Sequence, residues 1–158
     1  MRGRARHGIA LLRRLAGRRD GFAAIEFAIA VSFLSLALIG VYDFGRASWT
    51  RMQVISAAHV GGAFASSNGF NASLISTAVT NSSNLPTLVA TPAPVQVCGC
   101  PAGAAGITIV ACSTTCDSGN GAGTYVRVSA RGTYTFVFPY PGITGPVVIN
   151  AVALARIQ

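Results

Sequence analysis

Between Phe22 and Tyr42 the chain is a nearly unbroken apolar run, interrupted only by small residues and by one acid, Glu26. As a helix this run would rise about 31 Å, enough to cross a hydrocarbon core of roughly 30 Å. The helical pattern does not stop there. Trp49, Met52, Ile55, Val60 and Phe64 recur at roughly helical spacing, and no proline occurs before Pro86, so the helix is predicted to continue as a stalk. Ser66-Ser67-Asn68-Gly69 is a stop signal, because glycine readily takes the left-handed conformation that closes helices. Within the stalk, Ala57, Gly61 and Ala65 are spaced by four, as are Ala58 and Gly62. Such small-residue rows let a helix approach its neighbour closely, here its own sheet or another subunit. Asn71 is placed to cap a second, short helix reaching about Val79, followed by a loop at Asn81-Ser82-Ser83-Asn84.

From residue 95 the period changes from helix to strand. Val95 to Cys100 and Ile107 to Cys112 are short and rich in β-branched residues, with a turn at Pro101-Ala102-Gly103. Tyr125 to Phe138 gives the clearest alternation: Val126, Val128, Ala130, Tyr134, Phe136 and Phe138 are apolar, whereas Arg127, Ser129, Arg131, Thr133 and Thr135 are polar. One face of that strand should be buried and the other wet. Pro139 to Pro146 forms a loop, and Val147 to Ile157 returns as a last strand. The expected architecture is α+β: a long N-terminal membrane and stalk helix (22–69) packed on a small antiparallel sheet in an outer domain (70–158), preceded by a basic leader (1–21).

Charge fixes a direction for this arrangement. The net charge is +8, yet residues 1–21 hold seven arginines against Asp20, and residues 22–158 hold five arginines against three acids. Basicity therefore belongs to the leader. Basic residues just before an apolar span mark the cytoplasmic side, which places the N terminus inside, the span in the inner membrane and everything after Tyr42 in the periplasm. The same argument takes the arginine cluster away from phosphate binding, and no nucleic-acid partner is expected. A signal peptide cut after its apolar region fits poorly, since the run is too long and Tyr42-Asp43-Phe44 offers no small-residue cleavage site.

Four cysteines stand in two close pairs, Cys98 with Cys100 and Cys112 with Cys116. A four-thiolate zinc site is one reading of that spacing. In an oxidising compartment two disulfides are the better one, and Cys98 and Cys100 leave a strand in the same direction, so bridges should join the first pair to the second. Candidate catalytic chemistry is sparse. Beyond the leader the chain keeps one histidine, His59, and three acids, Glu26, Asp43 and Asp117. A hydrolytic triad would need base, acid and nucleophile from distant segments, and a single carboxylate in Asp117-Ser118-Gly119-Asn120-Gly121 is too few for a calcium loop. No enzyme activity, cofactor or metal is expected.

Gly21, Phe22 and Glu26 together resemble a type IV prepilin cleavage site. With Asp43-Phe44-Gly45-Arg46 beyond the apolar run, the chain is most similar to the TadE-like pseudopilins of tight-adherence (Tad) pilus systems, although Ser32 stands where such sequences often carry proline. The resemblance implies a type IV pilin-like fold and a prepilin peptidase that cuts between Gly21 and Phe22. It also implies a role for Glu26 in meeting the new amino group at Phe22. Asp43 and Arg46, three apart, are expected to pair at the membrane edge. Implied partners are the peptidase, other pilin or pseudopilin subunits, the inner-membrane assembly platform and the bilayer, and the implied role is a minor pilin supporting adhesion and biofilm formation. The alternative is an uncleaved single-pass anchor whose periplasmic domain binds a partner.

Overall fold

Residues 20–103 and 106–157 are described by the computed structural model. The expected leader (1–21) therefore lies almost wholly outside the described residues. Helix α1 spans Asp20–Asn68 and continues unbroken through Ser32. It ends where Gly69 takes φ 76°, the left-handed closure that glycine permits. Helix α2, Ala72–Thr80, follows at once; Asn71 caps it by accepting a hydrogen bond from the Leu74 N–H at 3.1 Å.

Four strands complete the chain: β1 (Val95–Pro101), β2 (Ile107–Val110), β3 (Gly123–Tyr134) and β4 (Val147–Arg156). They form one sheet in the order β2-β1-β3-β4, antiparallel throughout. The longest pairing is β3 with β4, from Tyr125 opposite Arg156 to Tyr134 opposite Val147. Two compact units result, Met1–Phe44 and Gly45–Gln158. The first, where described, consists of α1 alone. The second holds the rest of α1, α2 and the sheet.

In the second unit the core is made of small and β-branched side chains. Val54, Ala57, Ala58 and Ala65 of α1, Ile75 and Val79 of α2, and Val126, Val128 and Ala130 of β3 are buried together. The small-residue rows of α1 are thus used against the chain's own sheet. A Cβ on Gly61 would stand 2.5 Å from Val79 Cγ2 and 2.7 Å from Val128 Cγ1, while one on Gly62 would sit 3.5 Å from the Ala155 Cβ. Close approach without side chains is what allows α1 to lie on β3 and β4.

Two strands stop earlier than the alternation alone suggests. β3 ends at Tyr134, not Phe138. Its partner β4 starts only at Val147, after Pro146, which has no N–H to give. On the other side the Thr87 hydroxyl takes both ladder groups of Thr133, accepting from its N–H at 3.1 Å and donating to its carbonyl at 3.0 Å. Residues past Tyr134 have no strand to join, and Phe136 packs edge-on between Tyr134 and Tyr140 with ring centres 5.2 and 5.4 Å away. Likewise β2 stops at Val110, because Ala111 accepts from the Thr114 N–H in a turn.

Candidate processing and assembly segment

Along α1 every residue from 21 to 38 is exposed. Phe22 (78%) and Phe33 (77%) are the extremes of a surface that is apolar on all sides rather than along one stripe. A helix apolar around its whole circumference requires lipid or other helices around it. By length and composition α1 can cross a membrane. The polar residues in the run are handled within the helix: the Ser32 and Ser35 hydroxyls donate to the carbonyls of Ala28 and Val31, each at 2.8 Å. Neither therefore brings an unsatisfied donor into an apolar medium.

Glu26 cannot be satisfied in that way. It is exposed and is the only charged side chain between Phe22 and Tyr42. Being four residues on from Phe22, it lies one turn further along the same helix face, with Cβ atoms about 5–6 Å apart. Long side chains on a helix lean toward its N terminus. A carboxylate at position 26 therefore stands one turn from the Phe22 backbone nitrogen. Cutting the Gly21–Phe22 bond would turn that nitrogen into an amine within reach of the acid.

Seventeen residues after Glu26, about 25 Å along the helix, Asp43 is fully buried. Arg46 is exposed, and its carbonyl accepts from the Thr50 hydroxyl at 3.0 Å. The burial of Asp43 has no signal in the sequence, where it stands at the boundary between an apolar run and a mixed one. Its chemistry makes it notable all the same, since a buried carboxylate is costly unless partnered.

The cysteines form two bridges, Cys98–Cys112 with Cα atoms 5.0 Å apart and Cys100–Cys116 at 5.6 Å. Each joins β1 to the segment following β2, so the pair ties down the irregular chain between β2 and β3. Their oxidation removes the thiolates that a zinc site would need. His59 is exposed on α1, and among the described residues no group of three or more His, Cys, Asp or Glu side chains could hold a metal ion.

No curated protein and no solved structure matches the chain. A family match does exist, and it begins at the glycine before the apolar run and covers both the exposed and the sheet-docked parts of α1. Over residues 21–62 the chain matches the family model described as TadE-like protein, consistent with a TadE-like protein of Tad pilus systems.

Proposed function

We propose that this chain is a minor pilin or pseudopilin of a Tad-type pilus, made as a precursor and cut after Gly21 by a prepilin peptidase. The observation that carries the reading is Glu26: a lone carboxylate in a helical stretch, residues 22–38, that otherwise exposes only apolar side chains and self-satisfied serines, one turn from Phe22, within the TadE-like match. At bilayer depth such a charge costs roughly 2.5 kcal/mol or more, so it is a functional group by default. Before assembly, residues 22–42 hold the subunit in the inner membrane with its N terminus cytoplasmic and the sheet domain periplasmic. During assembly the same surface leaves lipid for a bundle of subunit helices. There the Phe22 ammonium and the Glu26 carboxylate, on one copy or between neighbours, neutralise each other in a medium where neither charge is tolerable alone. Asp43 and Arg46 form a second pair at the end of the span. The subunit works by assembly, with other pilins and the membrane platform as partners, in a pilus that supports adhesion and biofilm formation.

The test is the N terminus of the protein recovered from its own host. Mass spectrometry is expected to find a chain starting at Phe22, and Gly21→Leu is expected to leave the precursor uncut. A chain retaining the residues before Gly21, or one starting beyond Tyr42, would overturn the proposal.

A further inference from the structure

The unit that holds the sheet begins at Gly45, where α1 enters it. Packing along α1 shows which loop lies at that end. A Cβ on Gly132 of β3 would meet Val54, and one on Gly61 would meet Val128 of β3, so β3 runs back along α1 toward Gly45. β4 runs the other way, since Gly62 stands against Ala153 and Ala155. Tyr134, two residues past Gly132, is about 7 Å nearer to Gly45, level with about Thr50. Val147, six residues before Ala153 and paired with Tyr134, projects to the same height. The loop that joins them, residues 135–146, therefore occupies the end of the unit at Gly45. The apolar run ends at Tyr42, three residues earlier.

The composition of this loop is not that of a connection running through water. No charged residue occurs from Gly132 to Ala155. Residues 137–146 are exposed apart from half-buried Tyr140, with Val137 at 66%, Phe138 at 45% and Ile143 at 36%. Pro139, Pro141 and Pro146 have no N–H, and that of Ile143 is donated to the Tyr140 carbonyl at 3.1 Å, so none of these four positions brings an unpaired donor.

We propose that the β3–β4 loop docks on the surface of the bilayer beside the span, with Val137, Phe138 and Ile143 in the boundary between headgroups and acyl chains. The inference rests on the reading that residues 22–42 cross the membrane. Given that reading, position selects the occupant: a span ending three residues before Gly45 holds this end of the unit at the headgroups. Apolar and aromatic side chains gain from entering that layer to a depth of about 5–10 Å, and a charge-free loop has no ion to desolvate on the way. The contact gives the unit a second point of attachment and limits how far it can lean from the membrane normal before assembly.

The experiment uses the full-length chain with its one tryptophan removed by Trp49→Phe and a single tryptophan returned by Phe138→Trp or, separately, by Ile143→Trp. Each is reconstituted in phosphatidylcholine vesicles with or without bromine on the acyl chains near the headgroup, a short-range quencher of tryptophan emission. In the same background Phe33→Trp reports the span. Leu74→Trp reports the far end of the unit, because its neighbour Ile75 packs at Gly61, about 24 Å along α1 from Gly45. Absence of reactive thiols shows that each variant keeps its two bridges. Quenching of about twofold or more at Phe33→Trp and at both loop positions, with little at Leu74→Trp, supports the proposal. Quenching of Phe33→Trp while both loop positions match Leu74→Trp overturns it and leaves the span standing. An unquenched Phe33→Trp removes the span and the docking together. Loop emission that is blue-shifted but unquenched, and moves to the red as protein is diluted in lipid, means that a second copy covers the loop and overturns the lipid contact.

Discussion

Gly61 and Gly62 are neighbours on α1, and alanine is expected to have opposite effects at the two. In a helix interior, replacing glycine by alanine gains about 1 kcal/mol from backbone entropy alone. At Gly62 that gain should be kept, because the new methyl would sit 3.5 and 3.6 Å from the Cβ atoms of Ala155 and Ala153, an ordinary contact. At Gly61 it would meet Val79 Cγ2 at 2.5 Å and Val128 Cγ1 at 2.7 Å, about 1 Å inside the usual carbon–carbon separation of about 3.5–4.0 Å. Both valines are fully buried, and β-branched side chains are stiff, so neither can swing away. Overpacking of this kind costs about 1–3 kcal/mol. The net expectation is a loss of about 1 kcal/mol for Gly61→Ala and a gain of about 1 kcal/mol for Gly62→Ala. Thermal unfolding of the detergent-solubilised chain, with its disulfides intact, should separate the two variants by roughly 8 °C. If Gly61→Ala proved as stable as Gly62→Ala, the close packing of α1 on β3 and α2 described above would be wrong.

Glu26→Ala is expected to leave membrane insertion and leader cleavage intact while surface pili are lost, since removing a charge eases insertion; normal piliation beside normal processing would remove the role given to this acid. Replacing Cys100 and Cys116 together by serine opens a loop of sequence separation 16 and should lower stability by about 3 kcal/mol, read by denaturant unfolding. Labelling the unfolded, unreduced protein should find no reactive thiol. Asn71→Ala removes the acceptor at the start of α2 and should cost about 1 kcal/mol in the same unfolding assay, with Asn71→Ser restoring most of it.

What could be read from the sequence was whatever depended on neighbours along the chain. Gly69 and Asn71 announced the end of α1 and the start of α2 because a left-handed glycine and a side-chain cap are local devices. The alternation of Val126, Val128 and Ala130 against Arg127 and Arg131 separated the two faces of β3 for the same reason, but Ser129, expected on the wet face, is buried, because β3 is an inner strand of the sheet. It failed past Tyr134, because a strand also needs a partner, and Pro146 and Thr87 both act from elsewhere in the chain. The small-residue rows left two docking surfaces open, and only the three-dimensional placement of Val79 and Val128 against Gly61 assigned them to the chain's own core. In the apolar segment the position of Glu26 relative to Phe22 followed from helical periodicity. The burial of Asp43 did not, since periodicity gives a residue's face and not what covers it.

The serines of α1 have a consequence for movement. Because Ser32 and Ser35 spend their hydroxyl protons on their own helix, the surface around them offers no fixed hydrogen-bonding point to the outside. Such a cylinder turns about its axis, or slides past a similar neighbour, over a nearly level energy surface. Glu26 is the one notch in it. A single carboxylate on an otherwise smooth shaft sets both an azimuth and a height, so wherever this helix is gripped by a counter-charge, its rotation and its axial register are fixed by one and the same contact.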